Sequence, residues 1–185
     1  MKIKNLSKSF DDKLIFKDLW VELPRFGLCT ISGPSGCGKT TLMRIIAELE
    51  TADTGEIIYV HKKLSFVFQE DRLLEGVTAL GNIMAVLEKG EKANALRWLE
   101  LMGLAGSENL LPKEMSGGMK RRLAIARAFA YGGDLILLDE PFAGLDSETK
   151  QNISKHIFND LDKRLIILIS HEEGFDFKPD INIKF

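Results

Sequence analysis

The chain has 185 residues, 45% of them hydrophobic and 28% charged, and its 25 Lys and Arg residues nearly balance its 27 Asp and Glu residues. This composition excludes intrinsic disorder over most of the chain, favours one globular domain, and lacks the basic excess usual in a dedicated nucleic-acid binder. No apolar run approaches the roughly 20 residues of a membrane helix, the N-terminus does not resemble a signal peptide, and two cysteines are too few for a disulfide framework. We therefore expect a reduced, intracellular protein that works at a membrane only through a partner.

The first third of the chain predicts short β-strands and one helix. The strands are expected at residues 2–6, 19–23, 28–31, 56–60 and 64–68. The polar residues His61, Lys62 and Lys63 between the last two strands indicate a hairpin. The third strand runs directly into a glycine-rich loop, and the residues after this loop, 40–49, predict a helix.

The rest of the chain alternates between helices and apolar strands. Helices are expected at residues 77–88, 93–102, 117–131 and 147–161, and strands at 135–138, 165–169 and 181–185. The continuously apolar runs 135–138 and 165–169 are typical of strands that are buried on both faces of a parallel sheet. The pattern predicts an α/β fold with a helical insertion in the middle of the chain.

The glycine-rich loop matches a phosphate-binding sequence. Residues 33–40 read Gly-Pro-Ser-Gly-Cys-Gly-Lys-Thr and fit the pattern G-x-x-x-x-G-K-[ST] in full. Glycines let backbone N–H groups and the N-terminus of the following helix approach an anion. We expect Lys39 to reach the β- and γ-phosphates of a nucleotide and Thr40 to ligate Mg²⁺. The predicted nucleotide-binding residues of this segment are Gly33, Pro34, Ser35, Gly36, Cys37, Gly38, Lys39, Thr40 and Thr41.

Two acidic residues follow the apolar strand at 135–138. Asp139 is expected to hold a metal ion, directly or through water. Glu140 is expected to face the γ-phosphate and to polarise the attacking water. A helix-capping acid after a strand is the ordinary interpretation of such residues, but their combination with a phosphate loop favours the catalytic one.

A short sequence upstream of that strand narrows the class of protein. Met115-Ser116-Gly117-Gly118-Met119 resembles the signature sequence of ATP-binding cassette (ABC) ATPases, whose usual form is Leu-Ser-Gly-Gly-Gln. A small hydroxyl and two glycines at a helix N-terminus make an anion site. The resemblance implies that Ser116, Gly117 and Gly118 bind nucleotide.

Single residues elsewhere match further elements of this family. Phe10 stands where the family has an aromatic residue that stacks on adenine, although an isolated Phe is more often a core residue. Gln69 matches the glutamine of the Q-loop, which contacts Mg²⁺ and the attacking water and senses the membrane partner. Asp146 corresponds to the aspartate of a loop that lies near the partner subunit in this family. His171 corresponds to the histidine that contacts the γ-phosphate. The resemblance therefore implies Glu140, His171 and Gln69 as catalytic residues and Thr40, Gln69 and Asp139 as metal-binding residues.

The resemblance covers essentially the whole chain and implies its organisation. The expected fold is an α/β P-loop NTPase of the ABC-ATPase type, with an N-terminal antiparallel β-subdomain. A helical subdomain is expected at about residues 71–131, between the Q-loop and the signature motif. We expect residues 1–185 to form one minimal ABC ATPase domain without a C-terminal regulatory domain.

The resemblance also implies ligands and partners. Two cassettes, most simply two copies of this chain, are expected to bind head to tail with ATP and Mg²⁺ between the phosphate loop of one and the signature of the other. Transmembrane permease subunits and a substrate-binding protein are the other expected partners. Nucleic acid is not expected to bind. The chain would then be cytoplasmic and peripheral on the inner face of the membrane, with the segment 70–77 as its permease contact. The motifs look most like those of importers for nitrate, sulfonate, taurine and related small substrates.

Three other functions remain open at this stage. A soluble cassette ATPase of DNA repair or translation usually carries two cassettes or a long coiled-coil insertion, and neither is found in this sequence. An exporter subunit, for example of a lipoprotein-releasing type, shares the core motifs. A P-loop kinase would not explain residues 116–118 together with His171.

The cysteines and the other histidines suggest more ordinary roles. Cys37, within the phosphate loop, is either a thiol activated by the helix N-terminus or a small filler residue. Cys29, on a predicted strand, is expected in the core. His61 and His156 have no motif around them and are expected to be solvated.

Overall fold

Two β-sheets and five α-helices are present in the computed structural model, which describes residues 1–11, 13–159, 161–170 and 178–185. The strands are β1 (Lys2–Phe10), β2 (Lys13–Glu22), β3 (Gly27–Ser32), β4 (Thr54–Ile58), β5 (Leu64–Val67), β6 (Leu135–Asp139), β7 (Leu165–Ile169) and β8 (Ile181–Lys184). The helices are α1 (Lys39–Ile46), α2 (Ala79–Met84), α3 (Lys92–Leu101), α4 (Gly117–Tyr131) and α5 (Ser147–Ile157). Strands therefore alternate with helices as predicted.

Five strands form a parallel sheet in the order β5-β6-β7-β3-β8. Every residue of β6 and β7 is buried, as their apolar sequences predicted. Asp139 of β6 and Ile31 of β3 both pair with Ile169 of β7, so the carboxyl ends of these strands lie side by side. This edge therefore brings the glycine-rich loop after β3 close to the acidic residues at the end of β6, although about 100 residues separate them in the chain.

A second, antiparallel sheet has the order β2-β1-β4. The predicted hairpin between residues 56–60 and 64–68 is wrong, because β4 pairs with β1 whereas β5 joins the parallel sheet beside β6. The segment between β4 and β5 crosses from the antiparallel sheet to the parallel one. Asp134 holds this segment, because its carboxylate accepts hydrogen bonds from the N–H groups of Lys62 and Lys63 at 2.8–3.1 Å. Long-range pairing has thus overridden a local turn pattern.

The two faces of the parallel sheet carry separate cores. One face packs on α2, α3, α4 and α5, with side chains such as Ile136 and Ile166 pointing into the helices. The opposite face packs on α1 and on the antiparallel sheet, through Cys29, Ile167 and Ile3 among others. Because side chains alternate along each strand, neighbouring residues of one apolar run supply both cores.

Helix ends differ from the predicted ones where the backbone changes geometry. The expected helix at 77–88 shortens to Ala79–Met84, because the N–H groups of Val86 and Leu87 donate to carbonyls three residues back rather than four. α4 begins and ends at the predicted residues, capped by the Ser116 hydroxyl and by Gly132 at φ +75°. Within the described ranges, no helix is both long and apolar enough to cross a membrane.

Candidate nucleotide site

The loop between β3 and α1 has the geometry of a phosphate cradle. Gly38 precedes the helix at φ +108°, and a Cβ there would collide with the Ile15 side chain, so both conformation and space require glycine. The Lys39 side chain is only 7% exposed and folds back over the loop. Its ammonium donates hydrogen bonds to the carbonyls of Gly33 at 2.8 Å and Pro34 at 2.9 Å. The loop therefore already contains a positively charged side chain, bonded to its own backbone at the start of α1.

Thr40 and Asp139 connect the loop to the end of β6. The Thr40 hydroxyl donates to Asp139 Oδ2 at 2.8 Å. Burial raises the pKa of the Asp139 carboxyl, although the hydrogen bond from Thr40 and the charges of Arg121 and Lys39 oppose this shift. A carboxylate that is 2% exposed is thus placed where a cation would offset its desolvation.

Glu140 follows in an unusual backbone conformation. Its φ is +49°, in the left-handed region that non-glycine residues rarely occupy. Its N–H donates to the Ile169 carbonyl at 2.9 Å, which ties it to the neighbouring strand end. The structure thus holds a carboxylate-bearing residue in a strained conformation beside Asp139, an arrangement that is frequent at functional sites.

A cavity of about 490 Å³ gathers these groups. Of the predicted phosphate-binding residues, it is lined by Ser35, Gly36, Gly38, Lys39, Thr40 and Thr41. Phe10, Gln69, Asp139 and Glu140 complete the lining together with apolar residues such as Ile15. Its size lies in the range usual for small-molecule sites. The structure therefore brings the predicted adenine-stacking residue, the Q-loop glutamine, the phosphate loop and the two acidic residues together in one place.

Phe10 lies at the edge of the cavity rather than in the core. Its side chain is 41% exposed and forms part of the cavity wall. The ammonium of Lys8 lies 4.7 Å from the Phe10 ring centroid, and is itself held by Glu50 at 2.9 Å. An exposed aromatic face at the cavity, braced by a cation, suits stacking on a planar ring.

The signature residues lie outside this cavity. Ser116 is exposed, and its hydroxyl accepts a hydrogen bond from the Met119 N–H at 3.2 Å. Gly117 and Gly118 begin α4, and none of the three lines the cavity. A nucleotide in the cavity would therefore not contact the signature residues of its own chain, as the head-to-tail expectation requires.

The structure describes two of the three histidines, and these two differ in their exposure to solvent. His171 lies outside the residues that the structure describes. The expectation for His61 is wrong: it is half-buried, and its Nε2 lies 3.0 Å from the Arg25 carbonyl oxygen, because the crossing between the sheets packs it there. His156 is exposed on α5, as expected.

Arg121 of α4 is the functional candidate that the sequence motifs did not identify. The residue is 4% exposed, and its guanidinium contacts the backbone of both the Q-loop and the end of β6. A sequence signal was present, because Arg121 shares one helix face with the buried residues Ile125 and Phe129. A charged residue within an apolar stripe needs buried partners.

The two thiols are predicted to differ in reactivity. Burial raises the pKa of the Cys29 thiol to about 12, and this residue is fully buried in the core, as predicted. Cys37 is partly exposed in the loop. Titration with Ellman's reagent should therefore modify Cys37 alone in the native protein and both thiols after unfolding, and ATP should slow the Cys37 reaction. Modification of native Cys29 would contradict this assignment, and Cys37→Ser provides the control.

The fold and the site first define a class of protein. A strand, a glycine-rich loop and a helix, with a buried acid on a neighbouring strand and a cavity above both, are the phosphate-binding unit of P-loop nucleotide-binding proteins. A family model described as "ABC transporter" matches residues 16–143. The chain belongs to the ABC transporter family, and it is an ATP-binding cassette ATPase, as the motifs predicted.

Relatives and solved structures agree with this assignment. The chain is 38% identical over 181 residues to the aliphatic sulfonates import ATP-binding protein SsuB of Bacillus cereus, covering 91% of this chain and 72% of that protein. It is 33% identical to the lipoprotein-releasing system ATP-binding protein LolD of Bacteroides thetaiotaomicron, covering 94% of this chain and 91% of that protein. It also resembles the dimeric ATP-binding cassette MJ0796 in a post-hydrolysis state bound to ADP and Pi, with a TM-score of 0.83 and 28% identity over 92% of this chain and 88% of that chain.

Proposed function

We propose that this chain is the ATP-hydrolysing subunit of a membrane importer for a small solute. The hydrolytic part rests on one observation: the phosphate loop, Asp139 and Glu140 meet at a single cavity. The importer part is supported by the 38% identity to a sulfonate import subunit. Residues 1–185 act in this proposal as one cassette domain, in which the segment 71–131 is a helical subdomain.

ATP is expected to lie with its phosphates on the loop and its adenine against Phe10. The Lys39 ammonium bonds to loop carbonyls in the structure and can exchange these for phosphate oxygens. The N–H groups at the start of α1 complete the anion site. Gly33, Pro34 and Cys37 shape the loop from outside the cavity lining, and we propose that they act through its backbone.

The residues at the loop and strand end fit Mg²⁺. A threonine hydroxyl and a buried carboxylate 2.8 Å apart are hard oxygen ligands, and the Asp139 carboxylate bears a desolvation cost that a cation would offset. We propose Thr40, Asp139 and Gln69 as the residues that hold the ion, directly or through water. Bound there with ATP, Mg²⁺ supplies charge neutralisation at the phosphate oxygens.

Glu140 is the proposed general base. Its position beside Asp139 in the cavity allows its carboxylate to accept a proton from a water that attacks the γ-phosphorus. The new P–O bond forms as the bond from the γ-phosphorus to the bridging oxygen breaks, which gives ADP and inorganic phosphate. Gln69 orients the water in this proposal, and His171, by resemblance, contacts the γ-phosphate.

A second cassette completes the site. Because Ser116, Gly117 and Gly118 do not line the cavity, the anion site that they form at the start of α4 is separate from the chain's own ATP. The MJ0796 cassette, which this chain resembles, is dimeric. We propose a head-to-tail homodimer in which these residues contact the nucleotide on the partner's phosphate loop.

The exposed segment 70–77 is the proposed contact with a transmembrane permease. It carries Leu74 and Val77 with 45% and 36% of their surfaces exposed, directly after Gln69 of the cavity. Through this contact the chain would be cytoplasmic and peripheral on the inner face of the membrane. A substrate-binding protein and the permease would select the solute, and no nucleic acid is involved.

Uptake measurements test the importer proposal against export. Cells that carry Glu140→Gln in place of the wild-type chain should lose uptake of at least one small anion from a panel of labelled sulfonates, taurine and nitrate. The release of lipoproteins from the inner membrane should stay normal. Normal uptake with defective lipoprotein release would instead support the function of the lipoprotein-releasing relative.

A further inference from the structure

The guanidinium of Arg121 joins three parts of the site. Its Nε donates to the Pro141 carbonyl at 3.0 Å, and its Nη2 donates to the carbonyls of Asp139 at 2.8 Å and Glu140 at 2.5 Å. Its Nη1 donates to the Phe68 carbonyl at 2.5 Å and the Gln69 carbonyl at 3.2 Å. One side chain of the signature helix α4 therefore contacts the backbone of the Q-loop and of the residues around Glu140.

These contacts bear on the conformation of Glu140. The residue has a φ of +49°, which is unfavourable for a side chain with a Cβ and persists only where surrounding contacts over-determine it. Arg121 accounts for much of that constraint, because it binds three successive carbonyls at residues 139–141. The direction of the Glu140 side chain follows from this backbone conformation.

The contacts of Arg121 are also well suited to resist displacement. Its side chain is buried, and although burial lowers its pKa, the carboxylate of Asp71 at 3.4 Å and the charges of Asp139 and Glu140 favour the charged form. A planar guanidinium can serve several carbonyls at fixed angles, whereas an ammonium acts as a single point donor.

We propose that Arg121 is a positioning residue, which holds Glu140 and Gln69 in register for ATP hydrolysis and connects them to the signature helix. This proposal rests on the proposed role of Glu140 as the general base. Arg127 on the same helix offers a comparison, because its Nη2 donates to the carbonyls of Asp71 and Arg72 at 3.3 and 2.9 Å and its Nη1 to Asn82. It therefore holds the segment after Gln69 through contacts that do not include residues 139–141.

Steady-state ATPase kinetics of four single variants test the proposal. Arg121→Met should lower kcat by about tenfold or more with KM changed less than about threefold, because a misplaced base impairs the chemical step rather than binding. Arg121→Gln should recover much of this loss, since its amide can still donate to two carbonyls. Arg127→Lys should keep kcat within about twofold of wild type, although an arginine on the same helix that also binds backbone carbonyls has been changed. Arg121→Lys gives the same test as Met if the methionine variant does not fold at the assay temperature.

A double variant separates positioning from general structural support. In single-turnover assays, adding Arg121→Met to Glu140→Gln should reduce the residual rate by much less than the roughly tenfold loss expected in the wild-type background, because the carboxylate that Arg121 positions is already removed and only the positioning of Gln69 remains to be lost. An undiminished kcat in Arg121→Met, a methionine variant as active as the glutamine variant, or a full further loss in the double variant would overturn the proposal. Glu140→Gln with wild-type turnover would instead overturn the proposed role of Glu140 as the general base, on which this proposal rests.

Discussion

Glu140→Gln is expected to lower kcat for ATP hydrolysis by roughly 100- to 10,000-fold, the range seen when a general base is removed. ATP binding should be retained, because the substituted amide is nearly isosteric and the phosphate contacts of Lys39 and the loop are unchanged. The Kd for ATP, measured by fluorescence or calorimetry, should stay within about threefold of the wild-type value. Replacing one carboxylate oxygen by an amide NH2 group would then impair turnover and leave ATP binding intact.

The same variant should accumulate a dimer in the presence of ATP. If nucleotide closes two cassettes on each other and hydrolysis releases them, blocking hydrolysis shifts the population towards the closed form. Size-exclusion chromatography with light scattering should show about twice the monomer mass with ATP and the monomer mass with ADP. Glu100→Gln, an exposed residue on α3, is the matched control and should behave as wild type. Wild-type turnover in Glu140→Gln would remove Glu140 from the mechanism.

The local motifs were predictable because their physics is local. The loop at residues 33–40 requires glycines within a few residues of each other, and α4 is delimited by a serine cap and a glycine stop that stand next to it in the sequence. The position of Asp139 beside the loop was also predictable, because the carboxyl ends of buried parallel strands meet at one edge of the sheet.

The errors and omissions involve distant partners. The hairpin prediction at residues 56–68 failed because β5 pairs with β6, about 70 residues away in the chain. Arg121 was missed for the same reason: its partners Phe68 and Asp139 are 53 and 18 residues away. The positive φ of Glu140 could not be predicted from the sequence either, since Glu has no local preference for that conformation.

Ser116→Arg is expected to abolish dimer closure and lower ATPase activity by about 100-fold, while the monomer still binds ATP. Ser116 is exposed and is not among the residues that line the chain's own cavity, so a large side chain there is expected to obstruct whatever docks on the start of α4. The loss of the helix cap to Met119 costs about 1 kcal/mol and should not unfold the protein. Ser116→Asp keeps a capping oxygen, and it should also prevent closure because its carboxylate would face the partner's γ-phosphate.

Mixing two inactive variants gives the sharpest test of the head-to-tail arrangement. Ser116→Asp keeps its phosphate loop, and Lys39→Ala keeps its signature residues, so a mixed dimer contains one intact site formed by both chains. In the other site the substituted carboxylate faces a phosphate loop that holds no ATP, so it does not oppose closure of the mixed dimer as the bulky Ser116→Arg would. An equimolar mixture should therefore regain up to about a quarter of the wild-type rate, because half of the dimers are mixed and each has one of two sites. If each chain contained a complete site, the mixture would stay as inactive as its components. Loss of ATP binding by the Ser116→Arg monomer would equally contradict the arrangement, because it would place Ser116 at the nucleotide of its own chain.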